Sequence, residues 1–382
     1  MHVEFTEEQE ALRRVVREFA EGEIAPHAAE WDRDHRFPVD VVRQMGELGL
    51  FGIPFPARYG GGDGDLTTLC IAIEELARVD QSIAITLEAG VGLGANPIYR
   101  FGTEEQRETW LPDLVAGRAL GGFGLTEPEA GSDAGGTRTT ATLDEAAGEW
   151  VIDGEKAFIT NSGTEITSLV TITARTGPGE ISTIIVPSGT PGFEVQPPYR
   201  KVGWRASDTH GLTFTGCRVP EANLLGARGR GFAQFLEVLD EGRIAIAALA
   251  VGCIQGCLDH CLAYAADRHA FGRPIGTNQG VAFPIADLAV MAETARLLTY
   301  QAAWKRDTGQ PFTQAAAMAK LHATEAAVTA TRIATQVFGG YGFMDETPVG
   351  RFYRDAKILE IGEGTSEVQR LVISRALGLP VR

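Results

Sequence analysis

The apolar residues of this chain change their period twice, and that limits the possible folds more than any single motif does. Up to residue 118 they recur at helical spacing. Candidate helices lie at residues 38–50, 66–79 and 103–116, and a capping-box pair, Thr6 and Gln9, precedes ALRRVVREFA. Residues 119–227 alternate and become β-branched, as in TRTTATL, EWVIDGEKAFIT, SLVTITAR, ISTIIVP and HGLTFTGCRVP. There the dipeptide Asp153, Gly154 reads as a hairpin turn between two strands. From residue 228 helical spacing returns in three long segments, Gly231–Asp267, 278–307 and Thr313–Phe338. A last helix runs from near Ser366, with Gln369 as a second capping-box pattern, to about Leu377. A helical pattern does not settle as a strand, nor the reverse. The expected class is therefore α+β: an N-terminal α-helical domain (1–118), an antiparallel β-barrel-like middle domain (119–227) and a C-terminal four-helix bundle (228–382).

The composition, 44% hydrophobic and 22% charged, is that of a globular protein. A formal charge of −16 argues against nucleic acid as a partner and requires any anionic ligand to be met by locally placed Arg, Lys or helix N-termini. The longest apolar run, residues 244–254, is shorter than the ~20 residues that span a bilayer. The acidic opening MHVEFTEEQE carries no leader pattern. A cytoplasmic protein with no membrane partner is expected. Cys253, Cys257 and Cys261 repeat on one helix face beside His260. With no CxxC pair, they read as small buried residues between helices and not as a metal site.

Several segments carry candidate chemistry. GVGLGA (residues 90–95) fits a loosened dinucleotide fingerprint, but Pro97 follows at once and no β-α-β context surrounds it, so close helix packing or pocket lining is the better reading. RYGGGDGD lacks calcium-loop spacing and reads as a solvated turn. GFGLTEPEAGSDAGG (residues 122–136) is a Gly-rich stretch whose backbone N–H groups can approach a flat or anionic ligand, or an ordinary loop. AADRHAFGRPIGTNQG (residues 265–280) places Arg268, His269 and Arg273 between two helices of an acidic chain, a phosphate-binding or a solvated loop. In GEG, Glu363 stands between glycines just before a helix start. That is a surface turn, or a carboxylate whose pKa burial raises from about 4.3 toward the range of a general base.

Together these segments resemble the acyl-CoA dehydrogenase family along essentially the whole chain, from FTEEQEALR to EGTSEVQRLVISRAL. The most specific are LTEPEAGSD, FITN, DRHAFGRPI, QVFGGYGF and IGEGTSEVQR. The resemblance implies FAD, a homotetramer built as a dimer of dimers, an acyl-CoA substrate, electron-transferring flavoprotein as electron acceptor, and a place in fatty acid or amino acid catabolism. By the same resemblance Phe123, Leu125, Thr126, Gly131 and Ser132 line the flavin and the acyl thioester, and Phe158 and Thr160 meet the isoalloxazine. Arg268, Phe271 and Gln279, with Gln336, Gly339 and Gly340, reach the FAD of a neighbouring subunit. Thr365 and Glu367 touch FAD in their own subunit. Asp240 and Arg243 meet coenzyme A, and Gly364 gives the thioester room. Glu363 matches the family's base, which removes the α-proton of the thioester while the β-hydrogen leaves as hydride to flavin N5. The backbone N–H of Glu363 and a ribityl hydroxyl are the family's donors to the enolate oxygen.

Some subfamilies carry the base on a helix of the C-terminal domain. The matching segment LDEGR places Gly242 there, with Glu241 facing elsewhere, so Glu363 is the sole good candidate. Gly362 stands where some relatives have an aromatic residue. Where relatives that take dicarboxylyl-CoA place an arginine, this chain has Ala84, with Glu88 nearby, so a short- or medium-chain monocarboxylic acyl-CoA, straight or branched, is expected. The alternatives on this fold are an enoyl-CoA reductase, an acyl-CoA oxidase, a flavin monooxygenase (which should lack the Glu363 base) and a non-catalytic acyl-CoA-binding protein. A dinucleotide-binding oxidoreductase built on GVGLGA is the alternative of another class.

Overall fold

The computed structural model describes residues 4–381. Among them, seven α-helices form the N-terminal part: α1 Glu7–Phe19, α2 Ala28–Asp34, α3 Val39–Glu47, α4 Leu66–Ala77, α5 Gln81–Glu88, α6 Asn96–Phe101 and α7 Glu104–Val115. Their starts follow local chemistry. Thr6 with Gln9 and Thr103 with Gln106 form complete capping boxes, and Asp65 and Asp80 cap α4 and α5. The GVGLGA segment lies in a π-helical turn, Ala89–Ala95, between α5 and α6. A Cβ on Gly94 would lie 2.7 Å from the carbonyl oxygen of Gly121, so this glycine lets the turn pass against the first strand. Close packing, not a nucleotide, accounts for it.

The middle part is one eight-stranded sheet: β1 Leu120–Gly124, β2 Thr140–Asp144, β3 Glu149–Thr160, β4 Thr167–Gly177, β5 Glu180–Pro187, β6 Phe193–Val195, β7 Thr209–Pro220 and β8 Leu224–Leu225. The order is β6-β7-β3-β2-β4-β5-β8, with β1 paired to β4. Two expectations are corrected. The sheet is mixed and not wholly antiparallel, because β1 runs parallel to β4 from Leu120 opposite Thr167 to Gly124 opposite Ile172. β1 enters directly from α7, and the chain leaves it through a long loop and two further strands before β4, so no hairpin forces the two to oppose. Asp153 and Gly154 are not a turn either. They lie inside β3, where Gly154 at φ +147° forms an irregularity in the pairing with β7, and a Cβ on it would lie 2.6 Å from Thr139 Oγ1. The real turn between β2 and β3 is closed by the Gly148 N–H on the Asp144 carbonyl, 2.8 Å.

The C-terminal part is α8 Gly231–Asp267, a short hairpin of β9 His269–Ala270 and β10 Arg273–Pro274, then α9 Gln279–Asp307, α10 Thr313–Phe338, α11 Pro348–Ala356 and α12 Ser366–Ala376. Helices α8, α9 and α10 pack on one another, and α12 closes the bundle against α10. α8, 37 residues long, has the length and composition to cross a membrane, but 78% of its most apolar window is buried inside the fold, which makes it a core helix. Cys253, Cys257 and Cys261 are fully buried in that core. The helix lies almost in backbone contact with α4: a Cβ on Gly252 would fall 2.2 Å from the Glu74 carbonyl oxygen. One cap is also corrected. The side chain that caps α12 is Thr365, which accepts from the Val368 N–H, and not Ser366. The Gln369 amide reaches back to the carbonyls of Gly364 (2.8 Å) and Glu363 (3.4 Å).

Gly252→Ala should lower the unfolding free energy by about 2 kcal/mol, the usual cost of overpacking. Gly280→Ala, at a helical position with nothing within 4 Å, should be neutral or gain up to about 1 kcal/mol. Urea denaturation of the two variants beside wild type checks this, and equal midpoints would refute the packing account.

Candidate active site

Glu363 sits in the short turn between a 3-10 segment, Lys357–Glu360, and α12. Its φ is +52° and that of Gly364 is +91°. A left-handed glutamate is a strained position that the surroundings must impose. They do so through Lys320 of α10, fully buried, whose Nζ donates to the Gly364 carbonyl at 2.8 Å. Gly364 is thus required by its φ, whereas Gly362 has ordinary geometry and its N–H closes the preceding turn on Ile358. The Glu363 carboxyl points at α8, where a Cβ on Gly242 would lie 2.1 Å from its Oε2, so it occupies the space a side chain at 242 would fill. Both Glu363 oxygens are buried and meet no hydrogen-bond donor among the described residues. Burial pushes the carboxyl up to about 7, against the lowering influence of Glu88, Lys320 and Arg243. Glu88, the last residue of α5, is fully buried beside it.

The wall on α8 is polar at one turn and apolar at the next. Asp240 pairs with Arg243, which is 5% exposed, and accepts from the Thr313 hydroxyl at 2.9 Å. Glu241 turns away, as expected, to Asn96, Arg100 and Arg306. One turn earlier Phe235 stacks on Phe123 of β1 with ring centroids 3.8 Å apart, and Leu125 and Val238 complete the cluster. α8 thereby joins Phe123 and Leu125 to Asp240, Gly242 and Arg243.

Residues 125–133 follow β1 and are anchored by a buried ion pair. Lys156 Nζ lies 2.7 Å from Glu127 Oε1 and also donates to the Leu125 carbonyl, and the Glu127 carboxylate accepts the backbone N–H groups of Arg138 and Thr139. These donors hold the Glu127 carboxyl below the usual range, although burial alone would raise it. Thr126 is half-buried, with Gly131 and Ser132 exposed beyond it. On β3, Phe158 is 64% exposed at φ +62°, its ring 5.1 Å from that of Tyr199, and half-buried Thr160 ends the strand. An exposed aromatic in a left-handed backbone is a costly arrangement that a flat apolar ligand would explain. Thr365 and Glu367 stand at the start of α12.

The remaining residues gather elsewhere. Arg268, Gly339 and Gly340 line an open cleft of about 570 Å³ with Tyr264 and Tyr341. Arg268 lies 5.6 Å over the Tyr341 ring, and no carboxylate pairs with it among the described residues. Phe271 is 98% exposed at φ +54°, and Gln279 and Gln336 are exposed. Along α10 this cleft, at Phe338, is about 27 Å from Lys320, which holds the Glu363 turn. The chain therefore presents two separated groups of site residues, and it does not bring the Arg268 group to Glu363 within one copy.

Sequence reasoning missed Lys320 and the Lys156–Glu127 pair. Each had a signal: Lys320 interrupts a buried alanine stripe, and Lys156 falls in the inward register of Trp150 and Ile152. The left-handed backbone of Phe158 and Glu363 had none, since neither residue type asks for it.

Family models describe the same three parts: acyl-CoA dehydrogenase N-terminal domain over residues 6–118, middle domain over 122–217 and C-terminal domain over 229–378. The chain belongs to the acyl-CoA dehydrogenase family. It is 50% identical over 380 residues, 99% of this chain and 100% of the relative, to the probable acyl-CoA dehydrogenase YngJ of Bacillus subtilis. It is 46% identical over 376 residues, 98% and 99% of the two chains, to the short-chain specific acyl-CoA dehydrogenase of Clostridium acetobutylicum. Among solved structures it is similar to butyryl-CoA dehydrogenase from Megasphaera elsdenii, with TM-score 0.96, 41% identity and coverage of 99% and 100%. Acyl-CoA dehydrogenases are flavoprotein oxidoreductases that act on acyl-CoA, and this chain has their fold.

Lys156→Met leaves Glu127 buried without its cation and should cost about 3–5 kcal/mol in urea denaturation at pH 7. The double variant Lys156→Met, Glu127→Leu should recover most of that loss. A double variant as unstable as the single one would show that the pair's charge is not what matters.

Proposed function

We propose that this chain binds FAD and catalyses the α,β-dehydrogenation of a short- or medium-chain acyl-CoA, straight or branched, to the trans-2-enoyl-CoA, with Glu363 as the base. The observation that carries this is the buried Glu363 carboxyl, held in a left-handed turn with its proton affinity near neutrality. A base of that strength suits the α-proton of a thioester, and exclusion of water strengthens it further on substrate binding.

The residues present fit FAD. The exposed Phe158 face with Phe123, Leu125, Thr126 and Thr160 nearby in sequence and fold suits a flat ring, with Ser132, Thr365 and Glu367 as polar contacts. Arg268 without a carboxylate, beside Gly339 and Gly340, suits a diphosphate. FAD when bound supplies the acceptor for the β-hydrogen. Because the two groups lie apart in one copy, Arg268, Phe271, Gln279, Gln336, Gly339 and Gly340 are assigned to the FAD of a second copy, and the proposed assembly is a homotetramer built as a dimer of dimers. On the protein side, Glu363 takes the α-proton at its carboxylate, its own N–H and the room beside Gly364 serve the thioester oxygen, and Asp240 and Arg243 receive the coenzyme A portion. Electron-transferring flavoprotein is the proposed electron acceptor. The short chain length rests on the relatives named short-chain specific and butyryl-CoA dehydrogenase, and the monocarboxylic acyl group on Ala84, fully buried, where a cation would be needed for a second carboxylate.

Anaerobic addition of butyryl-CoA should bleach the flavin band of the wild-type protein, while Glu363→Gln should slow the bleaching by about 10³-fold or more with the flavin retained. The base must be ionised, so kcat/KM should rise with pH through about 7 and level off above it. Butyryl-, isobutyryl- or octanoyl-CoA should each exceed glutaryl-CoA. Preference for glutaryl-CoA would overturn the substrate reading, and fast bleaching in Glu363→Gln the assignment of the base.

A further inference from the structure

Glu88 ends α5 fully buried, with its carboxyl facing that of Glu363. Among the described residues, none of the four oxygens of the two carboxyls meets an N–H or O–H donor. Backbone closes both sides: a Cβ on Gly92 would lie 3.0 Å from Glu88 Oε1, and one on Gly242 2.1 Å from Glu363 Oε2. The charged groups on the surrounding elements are already engaged. Glu241 of α8 is held by Arg100 and Arg306, and Arg243 by Asp240. Glu74 of α4 is held by Arg296 and Tyr300, and Asp80 at the start of α5 lies against Arg351 of α11. Lys320 of α10 donates a hydrogen bond to the Gly364 carbonyl. Two adjacent buried carboxylates with four oxygens that meet no donor among the described residues are not both ionised, and a proton carried by one of them supplies a donor to the other.

We propose that Glu88 is a positioning residue, a neutral carboxylic acid whose O–H donates to the Glu363 carboxylate, aims it and keeps it ionised near neutral pH. The proton is assigned to Glu88 because the buried Lys320 ammonium is held on the carbonyl of Gly364, the residue next to Glu363, and so favours the ionised form there. Burial and the neighbouring Glu363 charge both push the Glu88 carboxyl well above the usual range. One proton is held by the pair, and it sits on the member that does not react. The catalytic consequence rests on the reading of Glu363 as the base, but the existence of the pair does not.

Two measurements on the holoprotein separate these. The first needs no turnover: infrared difference spectra of wild type against Glu88→Gln at pH 8. A protonated-carboxyl C=O stretch present in wild type and missing from the variant supports the pair. Asp80 and Asp355, common to both, cancel. The same stretch persisting in Glu88→Gln overturns it. The second is the pH profile of kcat/KM for wild type, Glu88→Gln and Glu88→Leu, with the thioester that bleaches the flavin fastest. Glu88→Gln keeps a donor and should leave the acid limb in place. Glu88→Leu removes the donor and should move it up by about one pH unit or more, a loss of about tenfold at pH 6, the size of a hydrogen bond to a charged group. Both variants losing activity equally at every pH would make Glu88 a packing residue only. A downward move in Glu88→Gln would make it a charged neighbour, and either result overturns the proposal. A wild type that turns over no thioester removes the proposed function, and the infrared comparison still decides the pair.

Discussion

Everything in this molecule is set out from the close approach of α8 to its neighbours. At Gly231 the helix begins against the β5 backbone, where a Cβ would lie 2.3 Å from the carbonyl carbon of Ser182. At Gly242 it yields its side-chain space to Glu363, and at Gly252 it meets the backbone of α4. Three contacts, with the sheet, the Glu363 turn and the N-terminal helices, are thus spaced along one rigid rod. A helix rises 1.5 Å per residue and does not stretch, so the sequence spacing of these glycines sets how far apart the three parts of the site stand. Polar groups ride on the same rod: Asp240 and Arg243 are placed by the helix that stacks Phe235 on Phe123.

Against that frame the buried charges divide into two kinds. Most are paired in the way burial demands. Glu127 has Lys156 and two backbone donors, Glu75 has Arg13 and Arg17, and Glu74 has Arg296 and Tyr300. Such groups hold structure, because removing one partner strands the other. Glu363 and Glu88 break the rule, since neither has a cation in hydrogen-bonding contact and both are pushed up in pKa. Asp355 is also fully buried and pushed up to about 7, but it accepts from the Trp204 N–H, whereas neither carboxyl of the couple at the end of α5 meets a donor among the described residues. The proposed function accounts for it, since a base has to keep a lone pair free for the substrate proton.

The sequence carried the order of the parts well, because periodicity is a local property: the ends of α8 and α10 fall where the apolar spacing stops. It carried strand pairing badly. The Asp153–Gly154 dipeptide has turn chemistry but lies mid-strand, where Gly154 serves contact with Thr139. β1 lies parallel to β4 because of where the chain has to travel, which no window of residues records. Similarly, Ser366 and Gln369 fit a capping box in sequence, yet the left-handed Glu363 and Gly364 shift the cap to Thr365 and free Gln369 to hold the turn's carbonyls. The candidate site residues were named through motif resemblance, but the groups packed around Glu363 were not read as acting on it. Lys320 and Glu88 reach the Glu363 turn from α10 and α5, 43 and 275 positions away in the chain.

Under the proposed role of Glu363 as the base, Gly242 accounts for where its carboxyl sits. The volume between α8 and the turn before α12 holds one carboxyl group, since any side chain at 242 would begin 2.1 Å from Glu363 Oε2. A carboxylate can enter that volume from the helix or from the turn, and the two routes exclude each other sterically and electrostatically. Entry from the helix would come with regular backbone and no strain. Entry from the turn requires the left-handed Glu363, the positive φ of Gly364 and the grip of Lys320 on the intervening carbonyl. In return it sets the carboxyl beside its own backbone N–H and the capped start of α12, where the amide donors lie. In the proposed reaction, the base and the donors for the oxyanion then come from one short segment. Holding them at fixed separation is worth more to such a reaction than the strain it costs.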